Sequence, residues 1–346
     1  MTIDAEGGAE GKTDVVKTPN AAPKGIRGAR NFFERTALIF VWLAVIAFFG
    51  ALRPAEFLTT SNMAAILGSQ AVLVVLVCAL IIPLTVGEYD LSIASSLLLS
   101  QMLIGVLNTR HDVPIAVLIP MCLLSGAFVG LVNGAFVVLF RIDSLIVTLG
   151  IGTLISGIVL LMSGGQTFAG IDTSLTDAVV VNRFLGVPFE FYYGLLLVAL
   201  VWYVFEYTSL GRRLLFAGRG REVARLNGLR VDRIRWGAFV ASGTISALAG
   251  ILYAGTSGAA DPISGATYLL PAFAAAFLGT TAIMPGRFNP WGSFIAVYFL
   301  VSGVTGLALF GLQSWVQDVF YGGALVLAVT LSQLARRREA LIIGSG

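Results

Sequence analysis

Long apolar runs are the feature of this chain that most constrains its fold. Runs of about 20 apolar residues alternate with short charged clusters, and a helix of that length crosses a hydrocarbon core of about 30 Å. The chain is 57% hydrophobic and only 12% charged. A water-soluble fold cannot bury that much apolar surface. The sequence therefore predicts an all-α, polytopic bundle of membrane-spanning helices.

The positions of the apolar runs predict ten transmembrane helices. The second is separated from the third by the polar segment Gly87-Glu88-Tyr89-Asp90, which follows Pro83. The predicted spans are residues 36–52, 63–86, 91–107, 114–140, 144–163, 189–206, 236–255, 268–285, 290–310 and 315–334.

Basic residues test the number of spans, because Lys and Arg concentrate in the cytoplasmic connections of membrane proteins. With a cytoplasmic N-terminus and ten spans, 19 of the 22 Lys and Arg lie inside. Only Arg53, Arg110 and Arg183 then lie outside. An odd number of spans would place the basic run 336–338 outside. We therefore expect ten spans with both termini in the cytoplasm.

The spans are expected to form one membrane domain between two tails. Residues 1–30 are rich in Gly, Ala, Lys and Pro without an apolar period, which predicts a disordered cytoplasmic tail. Residues 339–346 form a C-terminal tail. The domain, residues 31–338, has two long connections, 164–188 outside and 207–235 inside. Neither is large enough for a catalytic domain, so we expect the chain's chemistry to be translocation, catalysis within the bundle, or work supplied by a partner.

Two signals for nucleotide or nucleic-acid binding do not hold. Gly11-Lys12-Thr13 imitates the end of a phosphate-binding loop, but Glu6 occupies the position of its first glycine. The net charge is +3, but the basic residues flank the spans, where a positive excess has another cause. Two cysteines and one histidine are too few for a typical metal site. We expect no nucleic acid, metal or cofactor to bind this chain.

The long cytoplasmic connection contains eight arginines and a short amphipathic pattern. Residues 221–227 can form about two helical turns, and Gly228 suits the C-terminal cap. Val223, Leu226 and Leu229 are three residues apart, which places an apolar stripe on a charged segment. The residues alone leave two interpretations open. The segment is either a helix that docks in a groove of a cytoplasmic partner or a basic loop that contacts anionic lipid headgroups.

Polar residues near the spans suggest two further elements. Asp90 or Ser92 can cap the helix that follows them, so their segment is either a capped turn or a pathway or gating element. Gly126, Gly130 and Gly134 form overlapping Gly-x-x-x-Gly spacings, which let a neighbouring helix approach closely. Asn133 lies on the same predicted helix, where it is placed to line a polar route.

These segments resemble the permease subunits of ABC importers, in particular the carbohydrate branch that includes the ribose-type permeases. Glu222-Val223-Ala224, followed by Gly228, is similar to the coupling signature Glu-Ala-Ala-x-x-x-Gly. Position 223 is Val where the signature has Ala. The Ile-x-Leu-Pro that follows it in other importer branches is absent.

Other segments extend the resemblance over roughly residues 63–338. The segment 87–94 resembles Gly-Gly-x-Asp-Leu-Ser-x-Gly, with Glu88 and Ala94 in place of two glycines. Further similar segments are 141–150, 163–167 and 258–287. The order and spacing of these segments, more than any single one, make the resemblance specific.

The resemblance implies a function and partners. The chain would be the transmembrane permease subunit of an importer for a sugar or sugar-like hydrophilic solute in the bacterial inner membrane. It would not be an enzyme, because a cytoplasmic ATP-binding subunit would hydrolyse ATP with Mg²⁺. A periplasmic solute-binding protein would deliver the solute. A second permease copy or a paralogue would complete the pathway within the membrane lipid.

Two groups of site residues follow from the motifs and the resemblance. The residues expected to couple the permease to the ATPase are Gly218, Arg221, Glu222, Ala224 and Gly228. The candidates for the translocation pathway are Glu88, Asp90, Ser92, Asn133, Thr148 and Gln166.

Two other functions were weighed against the importer. An ion-coupled secondary transporter commonly places ionisable residues inside the bundle, whereas Glu88, Asp90 and Asp318 all lie near predicted span ends. An intramembrane enzyme needs a catalytic set, and neither HExxH nor a pair of mid-span aspartates is present in the sequence. The sequence therefore favours the importer.

Overall fold

The computed structural model describes the backbone of residues 24–313 and 315–343 and the side chains of residues 35–313 and 315–330. Residues 1–23, most of the predicted tail, lie outside the described residues. The first helix already begins at Lys24, within the predicted tail. The last helix continues to Ile343, beyond the expected domain boundary at 338.

Helices make up most of the described chain, and each predicted span coincides with helix. They are α1 (Lys24–Leu52), α2 (Pro54–Phe57), α3 (Thr60–Ser69), α4 (Ala71–Thr85), α5 (Ile93–His111), α6 (Ile115–Val138), α7 (Ser144–Ser163), α8 (Thr173–Thr176), α9 (Phe189–Tyr207), α10 (Ser209–Arg219), α11 (Arg221–Leu226), α12 (Val231–Ser257), α13 (Leu269–Gly279), α14 (Pro290–Ala308) and α15 (Trp315–Ile343). A π-helical turn, Asp177–Val181, and a 3-10 turn, Ser264–Tyr268, complete the helical segments described.

Seven helical stretches of the described chain are long and apolar enough to cross a membrane. Two more, Ser264–Gly279 and the first part of α15, are shorter apolar helices. α5 lies at the third predicted span but carries buried Ser96, Ser100 and Gln101. Because α5 packs among other helices, two of these side chains reach carbonyl groups of other elements. The Ser100 hydroxyl donates to the Ala247 carbonyl of α12 at 2.8 Å, and the Gln101 amide donates to the Ala259 carbonyl at 3.0 Å. The chain is thus an all-α, multi-pass membrane protein.

The core of the bundle lies around α4, α5, α6 and α12. Residues 71–84 of α4 are all buried, and the helix packs against α9, α12 and α13. α6 and α12 approach so closely that a side chain at Gly126 would meet the Gly243 carbonyl. A side chain at Gly130 would likewise meet the Phe239 carbonyl. The packing role predicted for the Gly-x-x-x-Gly spacings is confirmed.

Two predicted spans differ in detail from the structure. The second is two helices, α3 and α4, which meet at Gln70. The eighth predicted span, 268–285, is longer than the helix found there, since α13 ends at Gly279. The Asn289 amide turns back there and donates to the carbonyls of Gly279 and Ala282, each at 3.1 Å. The following connection is therefore longer than the sequence predicted.

The connections between the long helices gather at two ends of the bundle. We call one the arginine end; its connections are residues 86–92, 139–143, 208–230 and 280–289. The connections of the opposite end are residues 53–59, 112–114, 164–188, 258–268 and 309–313.

The opposite end contains the strands of the described chain, each two residues long. They are β1 (Phe168–Ala169), β2 (Arg183–Phe184), β3 (Val187–Pro188) and β4 (Ala259–Ala260). β1 pairs with β4 and β2 with β3, both antiparallel. The β1–β4 pair joins two connections that are 90 residues apart in sequence, so backbone hydrogen bonds fasten this end.

Candidate functional site

The loop between α4 and α5, residues 86–92, lies at the arginine end. α4 stops there in a Schellman motif: the Glu88 N–H donates to the Pro83 carbonyl at 3.0 Å and the Gly87 N–H to the Leu84 carbonyl at 3.1 Å. Gly87 has φ +78°, a conformation that favours glycine. The predicted break between the second and third spans is therefore confirmed. The turn buries Glu88 and Asp90, whereas Tyr89 between them is exposed.

Side chains of α7 hold the backbone of this loop. The hydroxyl of Ser144 accepts from the Tyr89 N–H and that of Thr148 from the Leu91 N–H, both at 3.0 Å. Ser144 and Thr148 are four residues apart, so they lie on one face of α7. The loop is fixed along its length although it has no regular secondary structure of its own.

Asp90 is fully buried and binds only hydroxyl and backbone donors among the described residues. Its Oδ1 accepts the Ser92 hydroxyl at 2.6 Å and the Ser92 N–H at 3.0 Å. Its Oδ2 accepts the Ser242 hydroxyl of α12 at 2.7 Å. The Asn133 amide of α6 donates to the Ser92 hydroxyl at 2.7 Å. This network joins the loop to α6 and α12.

Glu88 joins the same loop to the cytoplasmic connection. Its Oε1 accepts from Arg221 Nη2 at 2.5 Å and from Arg235 Nε at 2.6 Å. Arg221 also donates to the Gly87 carbonyl at 3.1 Å. The side chains of Glu88 and Arg235 are 4% and 11% exposed, whereas that of Arg221 is 42% exposed. We call these three residues the Glu88 cluster.

Further ion pairs extend from the Glu88 cluster along α11 and α12. Arg235 lies 3.8 Å from Asp232, and Asp232 lies 2.9 Å from Arg225. Arg225 in turn lies 3.4 Å from Glu222, whose side chain is 83% exposed. The hydrogen bond and charge of Asp232, with a smaller contribution from Glu222, raise the pKa of Arg225 above its usual value. The outer pairs face solvent and contribute little to stability, but they orient α11 against α12.

α11 is the short helix predicted within residues 221–227. It too ends in a Schellman motif, in which the Leu229 N–H donates to the Ala224 carbonyl at 3.1 Å. Gly228 has φ +78° at the position of the predicted cap. Ala224 is buried against Ala217 and Val231. α11 is thus fixed to α10 and α12 on one side.

The other side of α11 is exposed. Val223 is 55% exposed and Leu226 86% exposed, so two of the three residues of the predicted apolar stripe face outward. Leu229, the third, packs partly against the cluster around Ala224. α11 therefore displays a small apolar surface on an arginine-rich connection.

α10, residues 209–219, was not predicted as a helix, because Gly211, Gly218 and the following Gly220 argue against one in the sequence. The structure shows what two of these glycines do. A side chain at Gly211 would meet the carbonyl of Val204, and one at Gly218 would meet that of Thr85. The glycines allow α10 to lie directly on the ends of α9 and α4.

The structure brings six of the predicted site residues together around one loop and leaves the others apart. The group comprises Glu88, Asp90, Ser92, Asn133, Thr148 and Arg221. Gln166 lies at the opposite end, where it is exposed. Glu222, Ala224 and Gly228 belong to α11 and its cap, and Gly218 belongs to the contact of α10 with α4.

Three residues of the group, Ser144, Arg235 and Ser242, were not among the predicted site residues. Arg235 and Ser242 are seven residues apart on α12, which places them two turns apart on one face. They bind Glu88 and Asp90, which are two residues apart on the loop. The seven-residue spacing could have identified Arg235 and Ser242 as a pair of binding residues only if the loop had already been known to pack against α12.

The comparison with known proteins decides the family. Residues 62–329 match the family described as branched-chain amino acid transport system, permease component. The chain belongs to this permease family. No solved structure matches it.

Several curated relatives cover nearly the whole permease. The autoinducer 2 import system permease protein LsrC of Enterobacter sp. (strain 638) is 32% identical over 87% of this chain and 89% of its own length. The D-allose transport system permease protein of Escherichia coli (strain K12) is 27% identical over 88% and 93%. The L-arabinose ABC transporter permease protein of Azospirillum brasilense is 28% identical over 93% and 95%. The predicted resemblance to ABC permeases is confirmed.

Family membership fixes the general role of the chain. It is a transport permease and not an enzyme, and ATP hydrolysis belongs to a partner subunit. Permeases of ABC importers work with ATP-binding and solute-binding partners. The Glu88 cluster and α11 have to be understood as parts of such an assembly.

Proposed function

We propose that this permease translocates a sugar or a sugar-like small hydrophilic solute. Relatives over nearly the full length are named for D-allose, L-arabinose and autoinducer 2, and this supports the solute class. A cytoplasmic ATP-binding subunit that uses ATP and Mg²⁺ drives transport, and a periplasmic solute-binding protein delivers the solute. The permease itself binds no cofactor in this scheme.

The mechanism that we propose rests on the Glu88 cluster. α11 displays Val223 and Leu226 outward, a surface suited to a groove in the ATP-binding subunit. Arg221, the first residue of α11, holds Glu88 of the buried loop. A displacement of α11 by the ATPase therefore pulls on the loop directly. The proposed coupling residues are Gly218, Arg221, Glu222, Ala224 and Gly228.

The network around Asp90 carries that displacement into the bundle. Asp90 and Ser92 connect the loop to α6 through Asn133 and to α12 through Ser242. Thr148 connects it to α7. These side chains are buried and bonded to one another, so we propose that they form a gating element. Coupling requires that these contacts differ in strength between the outward-open and inward-open states.

We propose that the pathway runs between two permease copies or a permease and its paralogue. α7, which holds the loop at one end, exposes Leu149, Leu154 and Leu161 along its length. Tyr89 and Leu91 line a hollow of about 400 Å³ with Leu145 of α7 and residues of α13 and α15. A second copy on this face would place both loops beside a shared route. Gln166 would lie at its outer mouth.

We further propose ten membrane spans with both termini in the cytoplasm of a bacterial cell, in the inner membrane. The predicted alternation of sides agrees with contacts that join a connection to the end of a neighbouring helix. At the arginine end, Arg287 pairs with Glu206; at the opposite end, the Asp172 N–H donates to Asn108 at 2.8 Å. The single membrane domain spans 31–338, with 207–235 as its coupling connection and 1–30 and 339–346 as tails.

The test is ATP-driven uptake into proteoliposomes by the permease assembled with its ATP-binding subunit and binding protein. Arg221→Gln removes one partner of Glu88 without leaving a buried charge unpaired, because Arg235 still binds Glu88. We expect uptake per ATP hydrolysed to fall about tenfold, while the amount of folded permease stays unchanged. Arg53→Gln, which removes an exposed ion pair at the opposite end, is the control and should leave uptake unchanged.

Two results would contradict the proposal. If the permease alone takes up solute in response to a proton or sodium gradient, it is a secondary transporter. If Arg221→Gln leaves the coupling of uptake to ATP intact, the Glu88 cluster does not transmit the displacement. A third result bears on the solute class alone: uptake of branched-chain amino acids in place of sugars would overturn that part of the proposal.

A further inference from the structure

A cavity of about 680 Å³ opens at the arginine end, away from the Asp90 network. It lies between α9, α10 and α12, with Ile82 of α4 at its base. Its lining residues on α9 and α10 include Leu200, Val204 and Leu214, and those on α12 include Ala238, Ala241 and Ile245. Three arginines, Arg213, Arg230 and Arg233, complete the lining.

The three arginines of the cavity have no ion pair among the described residues. They differ in this from Arg221, Arg225 and Arg235 of the same connection, each of which is bound to a carboxylate. All three are exposed, and they come from separate segments, the middle of α10 and the start of α12. The fold therefore brings three free guanidinium groups to one opening, where they attract an anion.

The remainder of the cavity is apolar and extends into the membrane. Along α12 its lining reaches from Arg230 to Ile245, about 22 Å at 1.5 Å per residue. The part of this lining within the predicted span, residues 236–245, covers about 14 Å of a hydrocarbon core of about 30 Å. Leu200, on the candidate span α9, is 55% exposed, so the cavity is open beside it on a face that we expect to meet the bilayer.

We propose that this cavity binds an anionic phospholipid. Its phosphate headgroup contacts Arg213, Arg230 and Arg233, and an acyl chain lies between α9 and α12. Guanidinium groups bind phosphate oxygens with charge-assisted hydrogen bonds, and the apolar walls accept the chain. An uncharged sugar matches neither part of the site. The inference goes beyond the proposed function, because the loop 86–92 and the exposed residues Val223 and Leu226 do not line the cavity, although Gly228 and Leu229 at the end of α11 do.

The experiment is native mass spectrometry of the full-length permease. The permease is supplied with phosphatidylglycerol or phosphatidylcholine in detergent and is then released from the detergent. We expect one tightly retained phosphatidylglycerol, bound at least tenfold more tightly than phosphatidylcholine. Replacing all three arginines by Gln should weaken its binding roughly 100-fold, and each single replacement about fivefold. The triple Arg→Lys variant keeps the charges and should lose much less, which separates charge from folding.

Three controls decide the identity of the ligand. Arg219→Gln removes an unpaired arginine of the same connection that does not line the cavity, and it should not change retention. Ala241→Phe fills the apolar part and should displace the lipid while the arginines remain. If Ala241→Phe has no effect and inorganic phosphate competes fully, the site binds free anions and the proposal is wrong. It is also wrong if the triple Gln variant loses the ATP-binding subunit but not the lipid.

Discussion

Two buried glutamates lie at opposite ends of the bundle and have different partners. Glu88, at the arginine end, accepts from two arginines of separate segments. Glu190, at the start of α9, accepts from the Thr256 hydroxyl at 2.5 Å. No Arg or Lys of the described residues lies within salt-bridge distance of Glu190. Both ends thus bury a glutamate, but of the two only Glu88 has charged partners among the described residues.

The difference shows how each end is built. At the opposite end, backbone pairing of β1 with β4 and bonds such as that from Thr167 to Asp261 fasten the connections. At the arginine end, the described residues form no strand, and side-chain charges join α11, α12 and the loop. A charged link can be formed and broken by moving one segment. The arginine end is therefore the end suited to transmit a displacement.

The largest expected effect comes from exchanging each glutamate for Gln. Glu88→Gln removes the close, buried carboxylate partner of Arg235 and leaves it only the exposed Asp232 at 3.8 Å, so we expect the free energy of unfolding to fall by about 2–4 kcal/mol. Glu190→Gln keeps an oxygen that accepts from Thr256, and its cost should stay below about 1 kcal/mol. Thermal unfolding of both variants in the same detergent measures the difference. Equal shifts would show that the two ends do not differ in the way described.

The second prediction tests whether Glu88 and Arg235 act as a pair. Because Glu88→Gln removes the close partner of the buried Arg235 charge, adding Arg235→Gln should recover part of the lost stability. We expect a coupling energy of about 1–3 kcal/mol from the complete double-mutant cycle. The same cycle with Glu56 and Arg53, an exposed pair at the opposite end, should give less than about 1 kcal/mol. Additive effects in the first cycle would contradict the pairing.

The third prediction separates charge from position, because Asp90 lies two residues from Glu88 but has no arginine partner. Asp90→Asn keeps Oδ1 as an acceptor for Ser92, and the Ser242 hydroxyl can rotate to accept. We expect a loss of about 1–2 kcal/mol, less than for Glu88→Gln. Ser242→Ala is the matched variant on the other side of that bond. A larger loss for Asp90→Asn than for Glu88→Gln would make the Asp90 network the stronger link.

The smallest expected effect is a pH dependence at the opposite end. The Ile263 N–H, with further bonds from Ser264 and Thr167, lowers the pKa of Asp261 below its usual value. A lowered folded-state pKa contributes stability above the unfolded-state pKa of about 4, and this is lost as the pH falls through the folded value. We choose pH 6 and pH 3 as the test conditions. Between them, the thermal midpoint of Asp261→Asn should drop slightly less than that of the unchanged protein. An unchanged drop would contradict it.

Much of the fold was predictable because membrane helices are specified locally. The apolar runs alone located the helices, since each run must bury or expose its surface to lipid along its whole length. Gly228 was predictable as a cap because a Schellman motif involves only neighbouring residues. α10 was missed because its glycines, which disfavour a helix locally, are required by contacts with α4 and α9.

The sequence by itself determined that this is a polytopic membrane protein, where most of its helices lie, and which segments resemble those of importer permeases. Only the tertiary structure decided the partners of Glu88. Eight arginines lie in the connection that reaches it, and Arg235 is 147 residues away in sequence. All eight carry the same charge, so no local pattern distinguishes the two that pair with Glu88, Arg221 and Arg235. The packing of α12 against α4 and α6 makes that choice, because it fixes which face of α12 meets the loop.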